Sequence, residues 1–169
     1  RSTHAILPSR AADNLFWLGR YVERSEQNMR QCRAYYARIS DGADHNDAIP
    51  AYMRAHLMDN VAPKARDITQ RFAEPLTLGL QSASRINDRF SPDGMMALRG
   101  LAGQIQAFQG RSSLIDEIPV EISSLLRQIT GFSGLVHENM YRSDGWRFLS
   151  IGVSLERAAN MCSVLAACI

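Results

Sequence analysis

Two Glu-Arg dipeptides stand near opposite ends of this sequence, Glu23-Arg24 and Glu156-Arg157. A carboxylate beside a guanidinium can do three kinds of chemistry. It can close a buried ion pair, because arginine grips a carboxylate through two parallel hydrogen bonds. It can hold a carboxylate or an amine of a ligand. A desolvated glutamate in a concave site can also serve as a general base. A glycine precedes each glutamate by four residues, Gly19 and Gly152. On a helix each glycine then shares a stripe with its glutamate. Glycine inside a helix costs about 1 kcal/mol against alanine, so its repetition predicts close approach of another helix or a ligand. Two such helices side by side could pair Glu23 with Arg157 and Glu156 with Arg24. Spacing leaves three roles open for these four residues: solvated flank, structural ion pair, or ligand and partner site. Arg20, just after Gly19, joins the candidates, although Val153 stands at the matching place after Gly152.

A second cluster precedes the later dipeptide: Glu138, Asn139 and Arg142, followed by Trp146 and Arg147. Glu138 and Arg142 are four apart in the favourable order for a helical ion pair, worth about 0.2–0.5 kcal/mol. This cluster suits either a surface strut with Trp146 anchoring the corner or part of a binding site. Other chemistry finds little footing. The histidines are His4, His45, His56 and His137, and none lies three residues after a glutamate, as a di-metal bundle site requires. No metal ligand set and no cofactor is expected. P-loop, dinucleotide and nucleophile-elbow motifs are missing. Cys32, Cys162 and Cys168 have no zinc spacing and read as buried reduced thiols.

The elements that must carry these residues are helices. Residues 9–39 form the first, with Ser9 as N-cap. Its apolar seam is Leu15, Leu18, Val22, Ser25, Met29, Cys32, Tyr36 and Ile39, the alternating three-and-four spacing of a bundle. At about 1.5 Å per residue such a helix is roughly 45 Å long. The last helix runs from Trp146 toward Cys168. Its seam is Phe148, Ile151, Leu155, Ala158, Cys162, Leu165 and Ile169, each 133 residues beyond its mate in the first helix. The same offset superposes both glycines and both Glu-Arg pairs. This is a duplication of one helix, not a repeat array. Between them the sequence predicts helices over 50–60, 63–72, 76–90, 92–108 and 120–141. Ser91-Pro92-Asp93 marks a helix start. Loops fall at 41–47 and 110–119, and residues 1–8 read as a flexible tail. Trp17 reads as a packing anchor.

The chain of 169 residues is 46% hydrophobic and 21% charged, which suits a single all-α domain of six to seven helices with the first and last packed together. A net charge of +2 with interleaved acids argues against a nucleic-acid partner. No apolar run reaches the roughly 20 residues of a membrane span, and no signal peptide is legible, so a cytoplasmic protein is expected. Lys64 is the single lysine among its 19 Lys+Arg residues, a bias that suits either a GC-rich genome or recognition of carboxylates and phosphates. The first residue is not Met and the last residues still read as helix, as expected for a piece of a longer polypeptide.

The residues from Ser9 to Arg24 resemble the opening of the Alpha-E domain family, a bacterial, all-helical family named for its Glu-Arg motif. The far end is similar too: Glu138-Asn139-Met140, Arg142, Gly145-Trp146-Arg147-Phe148-Leu149, Gly152 and Leu155-Glu156-Arg157-Ala158. Ala83, Arg85, Asp88-Arg89-Phe90-Ser91 and Asp93 resemble its internal helix junction more loosely. Members usually carry Gly-Arg in both copies and have a larger central region, so Gly152-Val153 and the short centre depart from the pattern. The resemblance implies a place beside, or fused to, a circularly permuted ATP-grasp amide ligase, often with transglutaminase-like proteins, in ATP-dependent peptide synthesis or modification. It implies a non-catalytic accessory module that docks with the ligase or presents its peptide. The alternatives are an enzyme domain using Glu23 or Glu156 as a general base, and a homodimerising bundle with no ligand.

Overall fold

The computed structural model describes residues 7–58, 68–88, 90–109, 114–140 and 144–167. Six helices make up that chain: α1 Ser9–Ser40, α2 Ala48–Met58, α3 Gln70–Ser84, α4 Pro92–Gln109, α5 Ile118–Asn139 and α6 Asp144–Ala167. No strand occurs among the described residues. None of these helices is long and apolar enough to cross a membrane.

Local chemistry sets several ends. The Pro8 carbonyl accepts the amide hydrogens of Ala11 and Ala12 at 2.9 and 3.0 Å, so Ser9 is the first helical residue and not the cap. Gly42, at φ 94°, turns the chain out of α1 in a left-handed conformation that other residues resist. At the start of α4 the Ser91 hydroxyl accepts the Gly94 amide hydrogen at 2.9 Å, and Asp93 lies in the first turn, where a negative charge suits the helix dipole.

Four helices form the core bundle, each antiparallel to its neighbours: α1 beside α3, α3 beside α4, α4 beside α5 and α5 beside α1. Ring contacts between Phe72 and Phe108 and between Phe90 and Phe132 tie opposite ends of these pairs. Leu15, Leu18, Met29 and Cys32 of α1 are fully buried with Phe72, Leu76, Leu98, Ile105, Ile122 and Ile129. Each such side chain contributes about 1.5–3 kcal/mol by leaving water. Tyr35, not Tyr36, closes the lower seam of α1 and donates or accepts a 2.7 Å bond with His45 Nδ1. The short α2 packs on that end of α1, and Arg71 holds it by donating to the carbonyls of His56 and Leu57.

Several expectations change. One helix, α3, replaces the pair expected over 63–72 and 76–90; residues 63–67 lie outside the described residues, and 85–88 form a turn. Pro75 sits inside α3. A proline has no amide hydrogen for the carbonyl four residues back, and here that carbonyl, of Arg71, accepts a hydrogen from Asn28 Nδ2 at 2.6 Å. The next carbonyl, of Phe72, accepts from Ser25 Oγ at 2.7 Å. The neighbouring helix thus supplies the donors. Leu7, expected in a loose tail, packs against the core.

The largest correction concerns α6. Its expected seam faces outward: Phe148, Ile151, Leu155 and Leu165 are 39%, 55%, 48% and 57% exposed. Ala158 and Cys162 are exposed as well, and Ile169 lies outside the described residues. The reason is topological. α6 lies outside the four-helix bundle and packs principally on α1, so its outer face meets no other helix among the described residues. Cys162 is therefore not a core thiol, whereas Cys32 is buried; Cys168 lies outside the described residues.

Candidate functional site

The Glu-Arg dipeptides meet where α6 lies along α1. Contacts advance in the same direction on both helices: Arg20 reaches Glu156, Arg157 reaches Glu23, and Gln31 Nε2 reaches Asn160 Oδ1. The two helices are therefore parallel. The stripe that touches includes Gly19 and Glu23 on α1, and Leu149, Gly152 and Glu156 on α6, all buried.

The glycines allow the contact. A Cβ on Gly19 would lie 2.2 Å from the Leu149 carbonyl oxygen and 3.1 Å from the Val153 amide nitrogen. A Cβ on Gly152 would lie 2.1 Å from the Phe16 carbonyl oxygen and 3.1 Å from the Arg20 amide nitrogen. Leu149 and Val153 are the residues 133 positions beyond Phe16 and Arg20. The contact is thus reciprocal, as across a twofold axis, with the two halves supplied by one chain. Cα hydrogens point at carbonyl oxygens, a weak attraction that repays close approach.

One turn further on, the charges pair across the same axis. Arg157 donates from Nε and one terminal nitrogen to Glu23, both at 2.9 Å. Arg24 donates likewise to Glu156, at 2.6 and 2.9 Å. Both carboxylates are deeply placed, Glu23 at 2% exposure and Glu156 at 6%, and both are held bidentately. Gln27 Nε2 adds a bond to Glu23 at 2.7 Å. Burial by itself would raise the Glu156 pKa, but hydrogen bonds from Arg24 and Arg20 outweigh it and hold the carboxyl below its ordinary value. The same bonding raises Arg24 and, through Glu23, Arg157.

The two ends of this clamp are unequal. Glu156 receives a second guanidinium, Arg20 Nε at 2.8 Å. Arg20 in turn lies over the Trp17 ring at 5.2 Å, and Trp17 stacks on Tyr21. The matching residues on α6 are all smaller: Ser150 for Trp17, Val153 for Arg20 and Ser154 for Tyr21. The space so vacated at the Glu23 end is a cavity of about 420 Å3 between α1, α5 and α6. Gln27, Asn160 and these small residues carry no motif of their own, yet the 133-residue offset pairs Gln27 with Asn160 and points to each small residue, whereas Gln31 falls on Val164 and had no such signal.

Of the second candidate cluster, Glu138 and Asn139 do not join this site. Glu138 is exposed near the end of α5, and Asn139 Nδ2 contacts Ser91 Oγ at 3.3 Å. Arg142 lies outside the described residues. Trp146 meets His137 edge to face at 5.9 Å, at the wall of the cavity. Among the described residues no three His, Cys, Asp or Glu side chains gather as metal ligands would.

A helical bundle whose first and last helices are clamped in parallel by reciprocal Glu-Arg pairs defines the class of this protein. The chain belongs to the Alpha-E family, described as a predicted alpha-helical domain with a conserved ER motif, whose model matches residues 7–169. An uncharacterized protein of Mycobacterium bovis is 25% identical over 200 residues, and one of Mycobacterium tuberculosis is 24% identical over 203. Each match covers 98% of this chain but 23% of the relative, so the chain spans about a quarter of the length of the curated relatives it matches. No solved structure matches it.

Proposed function

We propose that this chain is a non-catalytic helical accessory module that docks with, or presents a peptide to, an ATP-grasp amide ligase. The observation that supports docking is the bare seam of α6. From Phe148 to Leu165 it keeps the spacing of a bundle seam and shows solvent a continuous apolar edge, the mark of a surface made for another protein. Residues 158–166 of that helix carry no charge at all. The Glu-Arg pairs support the same reading, since they spend their hydrogen bonds on each other and hold α6 in place to offer its outer face. A carboxylate gripped by two guanidiniums, as Glu156 is, makes a weak general base. The ligase, as the partner, comes from the resemblance to the family.

The test is the affinity between this chain and the ATP-grasp protein encoded with it, by calorimetry. Wild type, a Leu155→Ser/Leu165→Ser variant and a Glu23→Gln/Glu156→Gln variant are compared, each checked for helicity. Wild type is expected to bind, and the folded seam variant to lose binding. No binding by wild type, or a seam that instead joins two copies of this chain in sedimentation, overturns the proposal.

A further inference from the structure

The clamp offers an internal standard for its own empty end. At Glu156 the carboxylate is served by Arg24 and Arg20. At Glu23 it is served by Arg157 and by the neutral Gln27. The reciprocal contact places residue 153 against Glu23 as residue 20 lies against Glu156, and residue 153 is a valine. The Glu23 end is thus one cation short of its mate, and the cavity opens at that end.

The surrounding groups agree. Glu26 lines the cavity, and its mate beside Glu156 is the uncharged Ala159. Glu26 pairs with Arg30, which also lines the cavity. Two carboxylates, Glu23 and Glu26, therefore face two guanidiniums, Arg30 and Arg157, at this end, whereas Glu74 and Glu156 face three, Arg20, Arg24 and Arg71, at the other. One added cation gives both ends the same net charge. Two guanidiniums on a single buried carboxylate are already tolerated once in this molecule. Apart from the His137 imidazole, which packs on Trp146, the rest of the lining is apolar or hydroxylic, with Val22, Val136 and Leu149 as walls and Ser133 and Ser150 among it. That suits a cation carried on an alkyl stem better than a free inorganic ion.

We propose that the cavity between α1, α5 and α6 binds a guanidinium or alkylammonium side chain of a ligand, seated on Glu23 where the twofold relation would put an arginine. The ligand class is an arginine- or lysine-bearing peptide segment. The proposal stands without the ligase, because it concerns a site on this chain alone.

The probes are Nα-acetyl-arginine methylamide and Nα-acetyl-lysine methylamide, with the isosteric but uncharged Nα-acetyl-citrulline methylamide as control. Each is titrated into this chain and followed by amide chemical shifts. At least one cationic probe should give saturable shifts in α1, α5 and α6 around Glu23, with citrulline weaker by about tenfold or more, as a charge-assisted bond to a carboxylate implies. Val153→Arg should supply the missing guanidinium from within, abolish binding and raise the melting temperature. Ser150→Trp, which fills the cavity with the mate of Trp17, should abolish binding too, and decides the matter if Val153→Arg does not fold. Citrulline binding as well as arginine, unchanged binding in a folded filled variant, or no saturable shift with either cation overturns the proposal.

Discussion

Gly19 and Gly152 each lie against the backbone of the other's helix, where a Cβ would meet a carbonyl oxygen at 2.2 and 2.1 Å. Nothing flexible lines that contact, so a side chain there must part the helices. Gly19→Ala or Gly152→Ala is expected to cost about 1–3 kcal/mol, or more, by overpacking. Because α6 packs mainly on α1, the loss should appear first as undocking of α6. Hydrogen exchange is the measurement: amides of α6 lose protection while those of α3, α4 and α5 keep theirs. Gly131→Ala, where a Cβ meets nothing within 4 Å, should instead stabilise by about 0.5–1 kcal/mol.

The ion pairs predict an acid response. The Glu156 carboxyl has a folded pKa below its ordinary 4.5. The unfolded chain therefore binds more protons near that pH, and stability rises with pH. The contribution is fully present above about 4.5 and is lost as pH falls through the lower folded value. Glu156→Gln should flatten that slope in denaturant midpoints measured from pH 6 down to pH 3, pH values set about the carboxylate range. At neutral pH it should cost about 1–3 kcal/mol, discounted because Arg20 and Arg24 remain partly solvated.

Leu18 and Ile151 occupy the same place in the duplicated helix, 133 residues apart, and should answer differently to truncation. Leu18 is fully buried, and Leu18→Ala is expected to cost about 2–5 kcal/mol. Ile151 is 55% exposed, and Ile151→Ala should stay within about 0.5 kcal/mol in the isolated chain. Equal costs in urea unfolding would mean that α6 buries its seam in this chain.

The thiols offer a chemical check on the position of α6. In a Cys168→Ser background, a thiol reagent should label Cys162 in the native protein and reach buried Cys32 only on unfolding. Protection of Cys162 at every protein concentration would contradict the exposed outer face.

Much of this was legible from residues. The alternating spacing from Leu15 to Cys32 defines α1, and the shared offset of glycine, glutamate and arginine anticipates which side chains meet. Periodicity, however, reports that a helix has an apolar face, not that anything covers it. The seams of α1 and α6 read alike, and only topology separates a core seam from a bare one. The continuity of α3 through Pro75 was hidden for a different reason. The proline's lost hydrogen bond suggests a helix break, and the compensating donors, Ser25 and Asn28, come from another helix far away in sequence. The cavity was visible only as a run of size differences, Trp17 against Ser150 and Arg20 against Val153, which gain meaning once the helices are known to pack in register.

The parallel seating of α6 on α1 also bears on how the domain comes to be assembled. Its partners are separated by more than a hundred positions, as Arg20 and Glu156 are by 136, and such distant closures are slow. During synthesis from the N-terminus, α1 through α5 can collapse into a bundle before α6 emerges. The last helix then meets a preformed template whose two-glycine notch admits a single register, since a shift by one residue drives a side chain into backbone. Assembly ends with a proofreading step, in which only the correctly seated helix can also close its arginines on their carboxylates.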